Sequence, residues 1–266
     1  MNQPQDPNET APIYWGDTPM ADSQWHGLDQ LWLCVTTHAH ERLLSYCYSE
    51  TGNHRAMQQF GRLTEYRYPA SANLDNKLVV RQKLSPRPVV VRPIQPIHLP
   101  AGASVTLYVG TSLWLSLEQD DNALIELPVA RLSDTWFGPD TVQGEVCYAS
   151  QTHARLSLEG TPANPYKAMT PVKIKNDANR PLVLDRINLP IPHLTLYQQQ
   201  ASQSLQQRYW TSAISMTMTN TAASSDVELR IERNAPTECE GAEQLALPRE
   251  PLATGKLRKA LTFLLG

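Results

Sequence analysis

The sequence predicts an all-β protein made of two antiparallel β-sandwich-like domains and a short C-terminal helix. Three observations favour this fold: apolar and polar residues alternate in short stretches, turn-forming residues recur every 8–12 positions or so, and 21 of the 266 residues are proline. Alternation with a period of two places one face of a strand on a core and the other in water, which is typical of antiparallel sheet. Proline breaks helices, so this content argues against a helical bundle.

The composition is that of a folded protein with a nearly balanced charge. Hydrophobic residues make up 41% and charged residues 18% of the chain, and the net charge is −3. This balance argues against electrostatic binding of nucleic acid or of anionic membranes. The chain contains no apolar stretch of the roughly 18–20 residues that a transmembrane helix needs. Its first residues are polar and acidic, unlike a secretory signal, so we expect a cytoplasmic protein without a transmembrane segment.

The strands are predicted from the alternation, taken in order along the chain. Val105, Leu107 and Val109 alternate with polar residues, and Leu113, Leu115 and Leu117 continue the same period. Candidate strands lie near 29–37, 42–49, 61–68, 76–84, 87–94, 103–109, 112–118, 124–132, 144–150, 153–159, 167–176, 181–187, 193–197, 210–219 and 226–232. The predicted core positions are Val105, Leu107, Val109, Leu115, Leu117, Val172, Ile174, Ile214, Met216, Leu229 and Ile231.

The strands divide into two sets of the size of one sandwich each. We predict a disordered lead-in over 1–22, a β-sandwich domain over 23–133 and an Ig-like β-sandwich domain over 142–233. The turn-rich segment 133–140 separates them. A linker over 234–254 and a short amphipathic helix over 255–266 follow, and a short helical insertion is expected at 53–60. One continuous sandwich of long sheets is the alternative.

The strongest catalytic-looking feature is the His38-Ala39-His40 segment, which follows an apolar strand. Two histidines at i and i+2 on extended backbone project from the same face, so both imidazoles could bind one metal ion. A metallo-β-lactamase-like motif would continue with aspartate and histidine, but Arg42 and Leu43 stand there. We therefore favour a polar turn or a hydrogen-bonded strand end, and keep a metal-dependent hydrolase centred on His38 and His40 as the alternative.

The sequence contains no other recognisable catalytic or cofactor motif. Glycine-rich phosphate-binding patterns and the G-x-S-x-G motif of hydrolases are absent. We therefore predict no catalytic residues and no cofactor. Cys34 and Cys47 could lie on neighbouring strands, and we expect them to be buried and reduced.

Tryptophans supply the candidate contact residues in the strands. Trp114 alternates out of phase with Leu113 and Leu115, so it is expected to face away from their core, and Trp136 lies in the segment between the two sets of strands. An outward tryptophan either stacks against a sugar or packs beneath a loop or a partner. We favour packing and assign Trp114 and Trp136 as interaction residues.

The C-terminal helix is predicted to carry a contact surface as well. Leu257, Leu261, Leu264 and Leu265 fall at i, i+4, i+7 and i+8, which forms one apolar stripe. A helix of about ten residues is unstable alone in water, so the stripe must dock to become ordered. Its dock is the protein's own sheet, a partner protein or second copy, or a membrane surface.

Several stretches resemble one prokaryotic family, known as domain of unknown function 432. They are Arg87–Ile94, Leu107–Thr111, Trp136–Pro139, Gly144–Ser150, Pro171–Asn176 and Arg186–Pro190, and the resemblance covers about 30 to 232. It implies a bacterial or archaeal setting and no particular reaction. It also implies a gene neighbourhood shared with small-conductance mechanosensitive channels, which makes such a channel an expected partner.

These observations together favour a non-catalytic protein. We predict a β-sandwich interaction or regulatory accessory protein of the prokaryotic cytoplasm, which binds a partner protein or a second copy of itself and is associated with a membrane channel.

Overall fold

The structure is a computed structural model, and it describes residues 10–12, 15–16, 22–49, 63–69, 78–138, 140, 142–201, 207–221 and 224–251. These residues form β-strands and two 3-10 turns, with no α-helix of seven or more residues among them. Several sheets are present, including one that curls into a half-barrel. The prediction of an all-β protein is confirmed. The predicted helices at 53–60 and 255–266 lie outside the described residues.

The strands are numbered in chain order. They are β1 (Thr10–Pro12), β2 (Trp25–Leu28), β3 (Leu31–Thr37), β4 (Glu41–Tyr48), β5 (Thr64–Pro69), β6 (Leu78–Lys83), β7 (Val89–Pro93), β8 (Ile97–Leu99), β9 (Ser104–Ser112), β10 (Trp114–Gln119), β11 (Asn122–Pro128), β12 (Ser133–Phe137), β13 (Glu145–Thr152), β14 (Lys167–Asn176), β15 (Leu182–Leu184), β16 (Ile187–Leu189), β17 (Leu196–Gln199), β18 (Arg208–Thr211), β19 (Ile214–Thr221), β20 (Ser224–Ile231) and β21 (Glu243–Ala246). The 3-10 turns are Ile191–His193 and Thr237–Cys239.

The chain divides into two compact units, of which the first comprises Met1–Lys83 and Leu113–Arg131. It contains a five-stranded sheet in the order β1-β2-β3-β4-β5 and a three-stranded sheet in the order β11-β10-β6. The phenol groups of Tyr48 and Tyr68 donate hydrogen bonds to the carbonyl oxygens of Pro128 (3.0 Å) and Leu124 (3.1 Å), which ties the two sheets together. Leucines of both sheets form its buried core: Leu31, Leu33, Leu44, Leu115 and Leu117.

The second unit comprises Leu84–Ser112 and Leu132–Gly266. Its largest sheet has seven strands, in which β14 pairs with β9 along one edge and with β18 and then β19 along the other. A four-stranded sheet in the order β12-β13-β7-β16 and the β8–β15 pair complete the unit. Residues 84–112, which the sequence assigned to the first domain, cluster with this unit.

Strand pairing is mixed, although the sequence predicted antiparallel sheets. The pairs β1–β2, β7–β13, β14–β18 and β14–β19 are parallel. Successive strands β18 and β19 run alongside the same long strand β14. Their pairing with β14 is interrupted at Ser212, whose amide donates a hydrogen bond to the Thr195 carbonyl oxygen (3.1 Å). The alternation of apolar and polar residues does not depend on the direction of the partner strand, so the sequence pattern predicts 210–219 as one strand.

Four predicted segments differ from the structure. Residues 10–12 of the predicted lead-in form β1, and residues 243–246 of the predicted linker form β21, which pairs with β17. Residues 133–137 of the predicted domain boundary form β12. The strand predicted at 153–159 is replaced by one isolated bridge of Arg155, because Ala154 has a positive φ of 43° that turns the chain after β13.

The predicted core is largely confirmed. Val105, Leu229 and Ile231 are half-buried, because they lie at the ends of strands or on the terminal strand of the seven-stranded sheet. The remaining positions are buried: Leu107, Val109, Leu115, Leu117, Val172, Ile174, Ile214 and Met216.

Candidate functional site

The clearest candidate site is the β12–β13 hairpin of the second unit. Trp136 of β12 lies directly opposite Val146 of β13, so both side chains project from the same face. They are 41% and 46% exposed, and Val142 in the connecting loop is 87% exposed. We call Trp136, Val142 and Val146 the Trp136 surface. Scattered exposed apolar residues are ordinary, but an exposed tryptophan and two exposed valines on one hairpin form a candidate contact surface.

The loop itself fixes the orientation of the indole ring. The Trp136 Nε1–H donates a hydrogen bond to the main-chain oxygen of Asp140 at 2.7 Å. The Asp140 side chain stabilises the loop as well, since its Oδ1 accepts hydrogen bonds from the amides of Val142 and Gln143, both at 2.7 Å. Donation by the Gln143 and Val142 amides lowers the pKa of Asp140, because these bonds favour the charged carboxylate.

Two glycines let the loop close beneath the ring. A Cβ atom on Gly144 would lie 2.8 Å from the Trp136 ring and 2.6 Å from the carbonyl oxygen of Phe137. A Cβ atom on Gly138 would lie 2.1 Å from the carbonyl oxygen of Gln143. Side chains at either position would therefore collide with backbone, so this loop geometry requires glycine at both.

The opposite face of the hairpin is anchored in the interior. Phe137, Cys147 and Val90 form a buried cluster there, with exposures between 0 and 3%. Burial, together with the nearby Glu145 carboxylate, raises the pKa of the Cys147 thiol to about 12. Cys147 is therefore a packing residue in the neutral state rather than a nucleophile. The hairpin is held from below while its Trp136 surface faces solvent.

Charged groups flank the Trp136 surface along the same strand face. Asp134 lies opposite Tyr148 in the hairpin and forms an ion pair with Arg87 at 3.3 Å. The Arg87 guanidinium also lies over the Tyr148 ring, 5.2 Å from its centroid. An aromatic and aliphatic centre beside a polar border is the general layout of protein contact sites.

The structure places His38 and His40 in the turn between β3 and β4. Both side chains are exposed, and the main-chain N–H of His38 bonds the Glu41 carbonyl at 2.8 Å. The histidines therefore lie in a turn, which is the interpretation that the sequence favoured, and not on the extended segment that the metal alternative assumed. Among the described residues, no group of three or more histidine, cysteine, aspartate or glutamate side chains is arranged to hold a metal ion. The metal hypothesis depends on these two side chains alone and stays a prediction.

Trp114 is buried, in keeping with the packing that the sequence favoured over an exposed stacking surface. It is 7% exposed, and Ser116 and Glu118 on the same face of β10 are also buried. The Glu118 carboxylate lies 3.3 Å from both Arg81 and Lys83. Strand β10 is therefore buried on both faces, which the alternation with Leu113 and Leu115 could not reveal.

The remaining predicted contact residues fall at the C-terminus. Leu257, Leu261 and Leu264 lie outside the described residues.

All four cysteines are buried and free, which confirms the expectation that Cys34 and Cys47 are buried and reduced. No helix in the described part of the chain is long and apolar enough to cross a membrane.

One functional residue was not among the predicted site residues. Asp140 was not predicted to have a role, although its carboxylate organises the loop under Trp136. A signal was available: aromatic residue, glycine, aspartate and a second glycine within nine positions, 136–144, are typical of a tight loop closed by an Asx turn.

A family model covers nearly the entire chain. The family described as "Protein of unknown function (DUF432)" matches residues 14–265. The chain belongs to this family. No curated protein matches the chain, and no solved structure does. Both hairpin stretches that carried the resemblance, 136–139 and 144–150, fall within the matched range.

Proposed function

We propose that this DUF432 protein is a non-catalytic interaction protein that binds a partner protein through the Trp136 surface. One observation carries the proposal: an exposed indole ring whose own N–H is bonded to the loop beneath it (Nε1 to the Asp140 oxygen, 2.7 Å). Tryptophan is enriched among the few residues that contribute most of the binding free energy in protein interfaces.

The fixed orientation is what distinguishes this residue from an ordinary surface tryptophan. Binding orders flexible side chains, and each ordered side chain costs about 0.5–1.5 kcal/mol of conformational free energy. Trp136 is already oriented by its hydrogen bond and by Gly144 beneath its ring. A partner therefore meets a preorganised apolar contact of large area, flanked by the Arg87–Asp134 ion pair.

The finer features of the proposal come from the sequence. We propose two β-sandwich-like domains, of which the second presents the Trp136 surface, and a regulatory accessory role in the prokaryotic cytoplasm. The proposed partner is a protein, with a small-conductance mechanosensitive channel as the first to test and a second copy of this chain as the next. The family resemblance supports the channel, and the exposed hairpin supports a protein contact.

The test compares partner capture by three forms of the full chain in the native host. The wild type is compared with Trp136→Ala and with Leu156→Ser, a control that changes another exposed apolar residue of the second unit (67% exposed). We expect one partner to be captured by the wild type and by Leu156→Ser, and to be lost with Trp136→Ala.

The captured partner is then purified and titrated directly. Trp136→Ala should raise its Kd by about 30-fold or more, as expected for a central contact residue. Thermal melting of each variant confirms that it is folded. A partner that binds wild type and Trp136→Ala equally well contradicts the proposal.

A further inference from the structure

A second feature, in the first unit, is a cavity walled by tyrosines. It has a volume of about 610 Å³, and the described residues that line it are Tyr46, Cys47, Tyr48, Thr64 and Arg131. Small-molecule sites in proteins have volumes of roughly 300–1,000 Å³. Burial raises the pKa of the Cys47 thiol, and the residue is only 2% exposed, so the cysteine supplies packing rather than chemistry.

Two of the tyrosine rings form a right-angled corner. The ring centroids of Tyr46 and Tyr48 are 6.1 Å apart and their planes differ by 86°. The hydrogen bond from the Tyr48 hydroxyl to the Pro128 carbonyl (3.0 Å) fixes one wall of the corner. Tyr66 supports the other wall, since its ring is nearly parallel to that of Tyr46 (7°) and the two ring centroids are 6.1 Å apart. A flat ring that stacks on one wall would meet the other edge-on, and both contacts are favourable for aromatic groups.

Arg131 adds a positive charge to this corner. Its main-chain N–H is held by the Gln30 side chain at 2.9 Å, and its exposed guanidinium makes no hydrogen bond or ion pair with the described residues. Arg67 of the same unit differs, because its guanidinium is bound by Glu41 (2.9 Å from Nε). An uncommitted guanidinium presents a planar fork of donors that matches a phosphate group.

We infer that this cavity binds a nucleotide, with the base stacked in the tyrosine corner and the phosphate bound by Arg131. Each base offers a flat face to an aromatic side chain, so the corner accepts any of them. The described residues that line the cavity include no carboxylate or histidine, which suits the binding of an anion and supplies no general acid or base. The inference concerns the first unit and stands independently of the Trp136 surface.

Calorimetric titration of the full-length protein tests the site with three probes: AMP, adenosine and inorganic phosphate. We expect AMP to bind with a Kd below about 1 mM. Adenosine and phosphate should each bind at least about tenfold more weakly, because each makes only one of the two contacts.

Matched variants then assign the contacts. Arg131→Gln should weaken AMP binding at least about tenfold, whereas the control Arg67→Gln should leave it within about twofold. Tyr46→Leu should weaken binding of both AMP and adenosine. Arg131 is exposed, so its variant remains decisive if Tyr46→Leu fails to fold. The inference is overturned if AMP does not bind, if Arg131→Gln binds AMP like the wild type, or if adenosine or phosphate alone binds as tightly as AMP.

Discussion

The β3–β4 and β12–β13 hairpins both display exposed ring side chains, but only one of them fixes a ring in place. His38 and His40 lie in a short turn, and neither imidazole makes a hydrogen bond or ion pair with a described residue. Trp136 is bonded to its own loop, and the loop is closed by the Asp140 carboxylate. Residue type alone had singled out both hairpins as candidate sites.

The difference shows that local architecture distinguishes a preorganised contact from an exposed side chain. A side chain bonded by its own loop has already lost its rotational freedom, so a partner need not order it. Free imidazoles must lose that freedom when they bind a metal ion, and the turn offers them no third ligand among the described residues. Four predictions test this contrast.

The largest effect is expected from closing the space beneath the hairpin loop. Gly138→Ala places a Cβ atom 2.1 Å from the Gln143 carbonyl oxygen, so the loop must open. We expect a loss of about 3 kcal/mol of unfolding free energy, as for a severe steric clash. Chemical denaturation measures it, with Ala39→Gly in the β3–β4 turn as the control, for which a change within about 0.5 kcal/mol is expected. Equal small changes at both sites would remove the contrast between the hairpins.

Removing the indole should affect binding more than folding. Trp136 is 41% exposed, so Trp136→Ala should cost only about 1 kcal/mol of unfolding free energy, well below the roughly 3–5 kcal/mol of a buried tryptophan. Thermal or urea unfolding measures this change. A loss near the buried value would mean that the ring is a core residue and that reduced partner binding reports unfolding.

The loop should loosen in acid. The amide partners of Asp140 lower the pKa of its carboxyl group in the folded state. The stabilisation of the loop by the ionised carboxylate is therefore fully present above the ordinary aspartate pKa of 3.8, and it is lost as the pH falls through the lower pKa of the folded state. We expect the Trp136 indole N–H resonance to shift below about pH 4 in the wild type. Asp140→Asn should abolish this titration. A shift with the same midpoint in both proteins would assign the acid response to another group.

The smallest effect is expected from the histidines. His38→Ala combined with His40→Ala should change the unfolding free energy by no more than about 0.5 kcal/mol, since both side chains are exposed and form no contact that folding requires. Chemical denaturation measures this change, and elemental analysis measures the metal content of the purified proteins. Near-stoichiometric zinc, iron or manganese that disappears in the double variant would instead support the hydrolase alternative.

Strand existence was more predictable than strand pairing. Alternation located β9, β10 and β14 closely, because a strand with one face on the core must alternate. It could not show that β18 and β19 both run parallel to β14, because parallel partners differ in chain direction rather than in side-chain pattern. Trp114 illustrates a related point: alternation assigned it to the face opposite Leu113 and Leu115, but what packs on that second face is decided by the tertiary structure.

The sequence by itself determined the all-β class, most strand positions and the apolar core, since these follow from backbone periodicity and from proline and glycine content. It also selected Trp136. Only the tertiary structure decided that the indole is exposed and bonded to Asp140, and that Arg131 joins the tyrosines of β4 around one cavity. The first feature depends on how the loop closes. The second brings together residues more than 60 positions apart in the sequence, and no local sequence pattern predicts such a contact.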